Sequence, residues 1–95
     1  MYHVVLTKDA LKDLQKLTSS NLSKKAKKIA DSLAADPFSQ SFEALKYDLS
    51  GMYSKRINIQ HRLVYTVDKG SIEIDNTMYD GVIRILSMWS HYDKL

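Results

Sequence analysis

Apolar residues repeat at two spacings along this chain, and the change of spacing divides it. Tyr2 to Leu6 is a short, β-branched run that predicts a strand. Thr7 is placed to cap a helix over 8–18. In that helix Ala10, Leu11, Leu14 and Leu17 form one apolar stripe, and Lys8, Lys12 and Lys16 lie four apart on a polar face. A second helix is predicted from Ser20 to Ala35, with Leu22, Ala26, Ile29, Ala30 and Leu33 inward and Lys24, Lys25, Lys27 and Lys28 outward. Asp36-Pro37 ends it, because proline disfavours helical backbone in the residue before it.

Beyond Pro37 the helical period disappears. Residues 38–52 show no clear periodicity and contain Asp48-Leu49-Ser50-Gly51, a turn signal. Tyr53 to Ile59 and Arg62 to Val67 read as a hairpin joined by Gln60-His61. Asp68-Lys69-Gly70 and Asp80-Gly81 read as further turns, which makes Ser71 to Met78 and Val82 to Trp89 two more strands. Strand, two helices, then about four strands predicts an α+β fold, with a mainly antiparallel sheet carrying an antiparallel helix pair on one face.

Composition narrows the function. Ninety-five residues suffice for one domain, read as 1–95, with no repeat or linker. Hydrophobic residues are 44% and charged residues 26%, an ordinary globular balance. There is no cysteine, so disulfides, thiolate metal sites and a cysteine nucleophile are excluded. No apolar run approaches the roughly 20 residues that cross a bilayer, and the expectation is a cytoplasmic protein with no membrane partner. Net charge is +3, with the lysines concentrated in the helices and the three arginines, Arg56, Arg62 and Arg84, in the strand half. Such basicity favours polyanionic partners only weakly, because many solvated helices are rich in lysine. Arginines say more, since a guanidinium matches phosphate oxygens bidentately.

The most specific stretch runs from Glu43 to Tyr65: Glu43, then Leu45-Lys46, Leu49-Ser50-Gly51, the aromatic Tyr53, Lys55-Arg56 before Ile57, and His61-Arg62-Leu63-Val64-Tyr65. With His91-Tyr92 near the end of the chain, it closely resembles the YoeB/Txe branch of the RelE/ParE superfamily of type II toxins. The resemblance implies a RelE-like fold and a metal-independent, ribosome-dependent endoribonuclease that cleaves mRNA in the A site and so inhibits translation. It implies Glu43, Arg62, His91 and Tyr92 as catalytic residues, and Lys46, Lys55 and Arg56 as RNA-binding residues. The implied partners are a YefM/Axe-like antitoxin with an acidic toxin-binding segment, the ribosome and mRNA; DNA would be met only through the antitoxin. A homodimer is compatible with it, and no cofactor or metal is expected. The chain departs from the family in three places. Ser39-Gln40-Ser41-Phe42 replaces a proline-rich lead-in, residues 68–83 are extended with Asn76 to Gly81 as an added loop or hairpin tip, and Asp93-Lys94-Leu95 follows the terminal pair.

The residue types suit the implied chemistry. RNA carries its own nucleophile, the 2′-hydroxyl. Cleavage then needs a base (Glu43), an acid for the departing 5′-oxygen (His91), and positive charge on the pentacoordinate transition state (Arg62). Tyr92 can bind a phosphate or orient the histidine. His61 reads as a turn or hydrogen-bonding residue, His3 as structural, Trp89 as core or interface, and the lysine faces as solvated. Two other classes compete: a binding module of the same fold that occupies the ribosome or an antitoxin without cutting, and a DNA-binding regulator, for which no helix-turn-helix pattern is seen. Strand alternation leaves open which sheet face carries the site. A two-residue turn at Gln60-His61 puts Lys55, Ile57, Arg62 and Val64 on one face and Arg56, Leu63 and Tyr65 on the other, and a longer turn reverses the partners.

Overall fold

A computed structural model describes residues 1–19, 21–39 and 41–89. Strand β1 (His3–Leu6) leads into helix α1 (Lys8–Ser19), which Thr7 caps: the Ala10 amide donates to its hydroxyl at 3.2 Å. Ala10 and Leu17 are fully buried and Leu14 packs against them, whereas Leu11, expected in the stripe, is half exposed. Asn21 adopts left-handed backbone (φ 58°) and the Leu22 amide donates back to the Leu17 carbonyl, so the chain reverses. Helix α2 (Ser23–Ala35) therefore starts slightly later than its periodicity suggests, and it buries Ala26 and Leu33.

Strands β2 (Phe42–Ala44), β3 (Met52–Arg56), β4 (Arg62–Ile74) and β5 (Thr77–Ser87) complete a five-stranded sheet in the order β1-β5-β4-β3-β2. All neighbours are antiparallel except β1 and β5. The α+β reading is correct, but the strands after the helices are divided differently from expectation. Strand β2 lacks a buried face, all three residues being exposed, so no alternation marks it. Asp68-Lys69-Gly70 and Asp80-Gly81 are not turns: β4 and β5 run straight through them, with a register irregularity between Lys69 and Ile72. The reversal falls at Asp75-Asn76, both with positive φ (50° and 65°), as a tight two-residue hairpin requires. The extension of residues 68–83 is thus part of one long hairpin.

Gly81 has a packing role instead of a turning one. It pairs with Lys69, and a Cβ there would overlap the carbonyl oxygen of Asp68. Gly81→Ala is expected to destabilise by about 1–3 kcal/mol, the usual cost of overpacking, seen as a lower urea midpoint at unchanged slope.

The core lies between the helices and one sheet face. Leu63, Tyr65, Ile83 and Ile85 meet Ala10, Leu17, Ala26 and Leu33, all at 0% exposure. Each large apolar side chain so buried contributes about 1.5–3 kcal/mol. Tyr65 carries its polar group into this layer by donating to the Pro37 carbonyl at 2.6 Å. Burial, and then the charges of Tyr53 and Asp36, push its phenol well above the usual range, so it remains a donor. That bond fixes the loop between α2 and β2 against the sheet. At the far end of β5 the Met88 amide donates to Asp13 of α1, Trp89 stacks on His61 (4.2 Å between ring centroids), and the Lys16 ammonium lies 5.7 Å from the Trp89 ring. No helix among the described residues is long and apolar enough to cross a membrane.

Candidate functional site at the β2 edge

The connection from β3 to β4 decides which side chains meet. It spans residues 57–61, longer than two residues. The Asn58 carboxamide accepts from the Gln60 and His61 amides at 2.9 and 2.7 Å, and the His61 carbonyl accepts from those of Ile57 and Asn58. This turn sets Arg56 opposite Arg62, Ser54 opposite Val64 and Tyr53 opposite Tyr65. Glu43 of β2 pairs with Ser54. Directly opposed residues share a face, so Glu43, Ser54, Arg56 and Arg62 stand together on the face away from the helices. The two-residue turn is incorrect, and Arg62 shares its face with Arg56, whereas Lys55 stands opposite Leu63 on the other face.

Arg62 is held twice. Its Nε donates to the Ser54 hydroxyl at 3.0 Å and its Nη2 to the Glu43 carboxylate at 3.0 Å. The arginine side chain is 10% exposed and the glutamate 52%. Such a pair presents a fixed guanidinium from the protein and a carboxylate that still reaches solvent. A guanidinium has five N–H donors, so these two bonds fix its plane and leave donors for an incoming anion. Ser54, fully buried, was not foreseen from the sequence. Only the register, which puts it beside Arg62 on the same face, reveals its role.

Glu43, Arg56 and Arg62 line a cleft of about 680 Å³ that Lys55 also reaches, with Lys25 and Ile29 of α2 on its far wall. Lys55 is nearly buried and donates to the Ser39 hydroxyl at 2.8 Å. Lys25, expected on a solvated face, lines this cleft from α2. Four cations around one carboxylate favour an anionic ligand. On the other side of Glu43, a smaller cleft of about 310 Å³ is shared with Lys46 and Tyr47. The predicted Glu43, Arg62, Lys46, Lys55 and Arg56 thus all border these two adjoining clefts. His91 and Tyr92 lie outside the described residues. No three His, Asp or Glu side chains among the described residues form a metal-ligand group.

Residues 6–92 match the family described as YoeB-like toxin of bacterial type II toxin-antitoxin system. The chain is 46% identical over 75 residues to a Toxin YoeB of Synechocystis sp., covering 77% of this chain and 74% of the relative. A YoeB dimer from Staphylococcus aureus superposes with a TM-score of 0.72 at 30% identity, covering 96% of this chain and 98% of that one. A YoeB-YefM complex from the same organism gives 0.70 at 32% identity, covering 97% and 99%. A match over nearly the whole chain identifies this protein as a member of the YoeB-like toxins of bacterial type II toxin–antitoxin systems.

Proposed function

We propose that this toxin is a ribosome-dependent endoribonuclease that cuts mRNA in the A site without a metal, through attack by the RNA's own 2′-hydroxyl. The observation that carries the reading is the Glu43–Arg62 pair in a cleft otherwise lined by cations. In this mechanism Glu43 takes the proton of the 2′-hydroxyl. The oxygen attacks the adjacent phosphorus, and the bond to the 5′-oxygen breaks as His91 supplies a proton to it. The products are a 2′,3′-cyclic phosphate and a 5′-hydroxyl. Arg62, its plane fixed by Ser54, neutralises the non-bridging oxygens where charge accumulates. Lys46, Lys55 and Arg56 hold flanking phosphates, and Tyr92 orients the histidine or binds phosphate.

The lysines, arginines and exposed Glu43 also suit an antitoxin with an acidic segment that covers the cleft, as a tight and salt-sensitive complex. A YefM-like antitoxin is the partner, by analogy with the S. aureus complex, and a homodimer is compatible with the S. aureus dimer.

The test is primer extension on ribosome-bound message. New 5′ ends are expected with the wild-type chain, together with 2′,3′-cyclic phosphate termini, and both should vanish in His91→Ala. Arrested translation without new 5′ ends would instead identify a binding module that does not cut.

A further inference from the structure

Tyr47 occupies a position that ordinary packing does not explain. It follows Lys46 and begins a single 3-10 turn (Tyr47–Leu49) in the connection between β2 and β3. Its backbone is left-handed, with φ 59°, a region that favours glycine or asparagine and is unusual for a bulky side chain. The connection enforces it: the Leu45 amide donates to the Met52 carbonyl at 2.9 Å, and the Ser50 amide to that of Tyr47 at 3.0 Å. Strain of this kind persists where the surroundings over-determine it. Burial offsets none of it, since Tyr47 is 92% exposed. Glycine would close the same turn more easily. The aromatic ring therefore serves something outside the folded chain.

Its surroundings indicate what. Tyr47 borders the smaller cleft with Glu43 and Lys46, beside the larger cleft that holds Arg56 and Arg62. An exposed ring beside Lys46, in a cleft that shares Glu43 with the one lined by Arg56 and Arg62, suits single-stranded RNA, with cations on the backbone and the ring against an unstacked base. We propose that Tyr47 is the stacking platform for a base flanking the scissile phosphate, holding that nucleotide while Glu43 meets its 2′-hydroxyl. This makes it a determinant of substrate placement in the cleavage proposed above, on which the inference rests.

The experiment compares Tyr47→Ala, Tyr47→Gly, Tyr47→Phe and Tyr47→Trp in the full-length toxin, by kcat/KM for cleavage of ribosome-bound message. Removing a stacked ring is expected to lower it about 5–150-fold in Ala and Gly, with Phe and Trp within about threefold of wild type. Tyr47→Gly should at the same time raise the melting temperature by relieving the backbone, which separates lost stacking from lost folding. A glycine variant that is more stable and fully active would overturn the proposal. A second readout uses Glu43→Gln as background and measures binding of the same ribosome-bound message. There Tyr47→Ala is expected to weaken binding by a similar factor, even if the wild-type chain proves not to cut. Equal binding with and without the ring would overturn the proposal while leaving the cleavage reading intact. So would a loss confined to binding of the antitoxin.

Discussion

Glu43→Ala is expected to lower the single-turnover rate of message cleavage by about 10²–10⁴-fold, the usual contribution of a positioned base. Glu43→Gln should lose nearly as much, because an amide can still accept from Arg62 but cannot take the 2′-hydroxyl proton. The two substitutions should differ in stability. Alanine leaves the mostly buried Arg62 guanidinium without its carboxylate, although the Ser54 bond remains. The half-exposed carboxylate puts the cost of that loss between the roughly 0–1 kcal/mol of a surface pair and the roughly 3–5 kcal/mol of breaking a buried one. Glutamine retains a hydrogen bond and should unfold close to wild type. Urea denaturation of both variants beside their cleavage rates checks this. Wild-type cleavage by Glu43→Gln would remove Glu43 from the chemistry.

The second large effect is at Arg62. Arg62→Ala is expected to reduce cleavage by about 10²–10³-fold, the scale for losing one preorganised donor to a developing oxyanion. It also leaves the fully buried Ser54 hydroxyl without the partner it has now, at about 1–3 kcal/mol. Arg62→Lys tests whether charge alone suffices. An ammonium on a flexible stem is a point charge and cannot satisfy Ser54 and Glu43 in one plane as the guanidinium does. Most of the activity should therefore be lost while ribosome binding holds. Full activity in the lysine variant would show that Arg62 acts only as a diffuse cation.

The helices are written locally in the sequence, and the strands only in part. The stripe through Ala26, Ile29, Ala30 and Leu33 and the stop at Asp36-Pro37 are local features, and they survive in the fold. The turn signals at Asp68-Lys69-Gly70 and Asp80-Gly81 misled, because glycine permits both a turn and a close approach of strands. At Gly81 it is the Asp68 carbonyl, distant in sequence, that requires it. The true reversal at Asp75-Asn76 lacks glycine and was hidden behind those stronger signals. Strand β2 was invisible because an exposed edge strand needs no alternating pattern.

By itself the sequence determined the fold class, the membership signalled by Glu43 to Tyr65, and the residue types available for acid–base and phosphate chemistry. Those depend on local propensity and on a motif written contiguously. Only the tertiary structure decided that Arg56, not Lys55, stands opposite Arg62, since that depends on a turn closed by Asn58 and on its length. It also decided that Ser54 and Glu43 share one guanidinium, that Lys25 joins the cleft from α2, and that Tyr47 faces solvent on strained backbone. Each is a relation between residues brought together by strand register or helix packing. Register changes face with a single residue of slip, and no local pattern encodes it when both faces carry apolar groups.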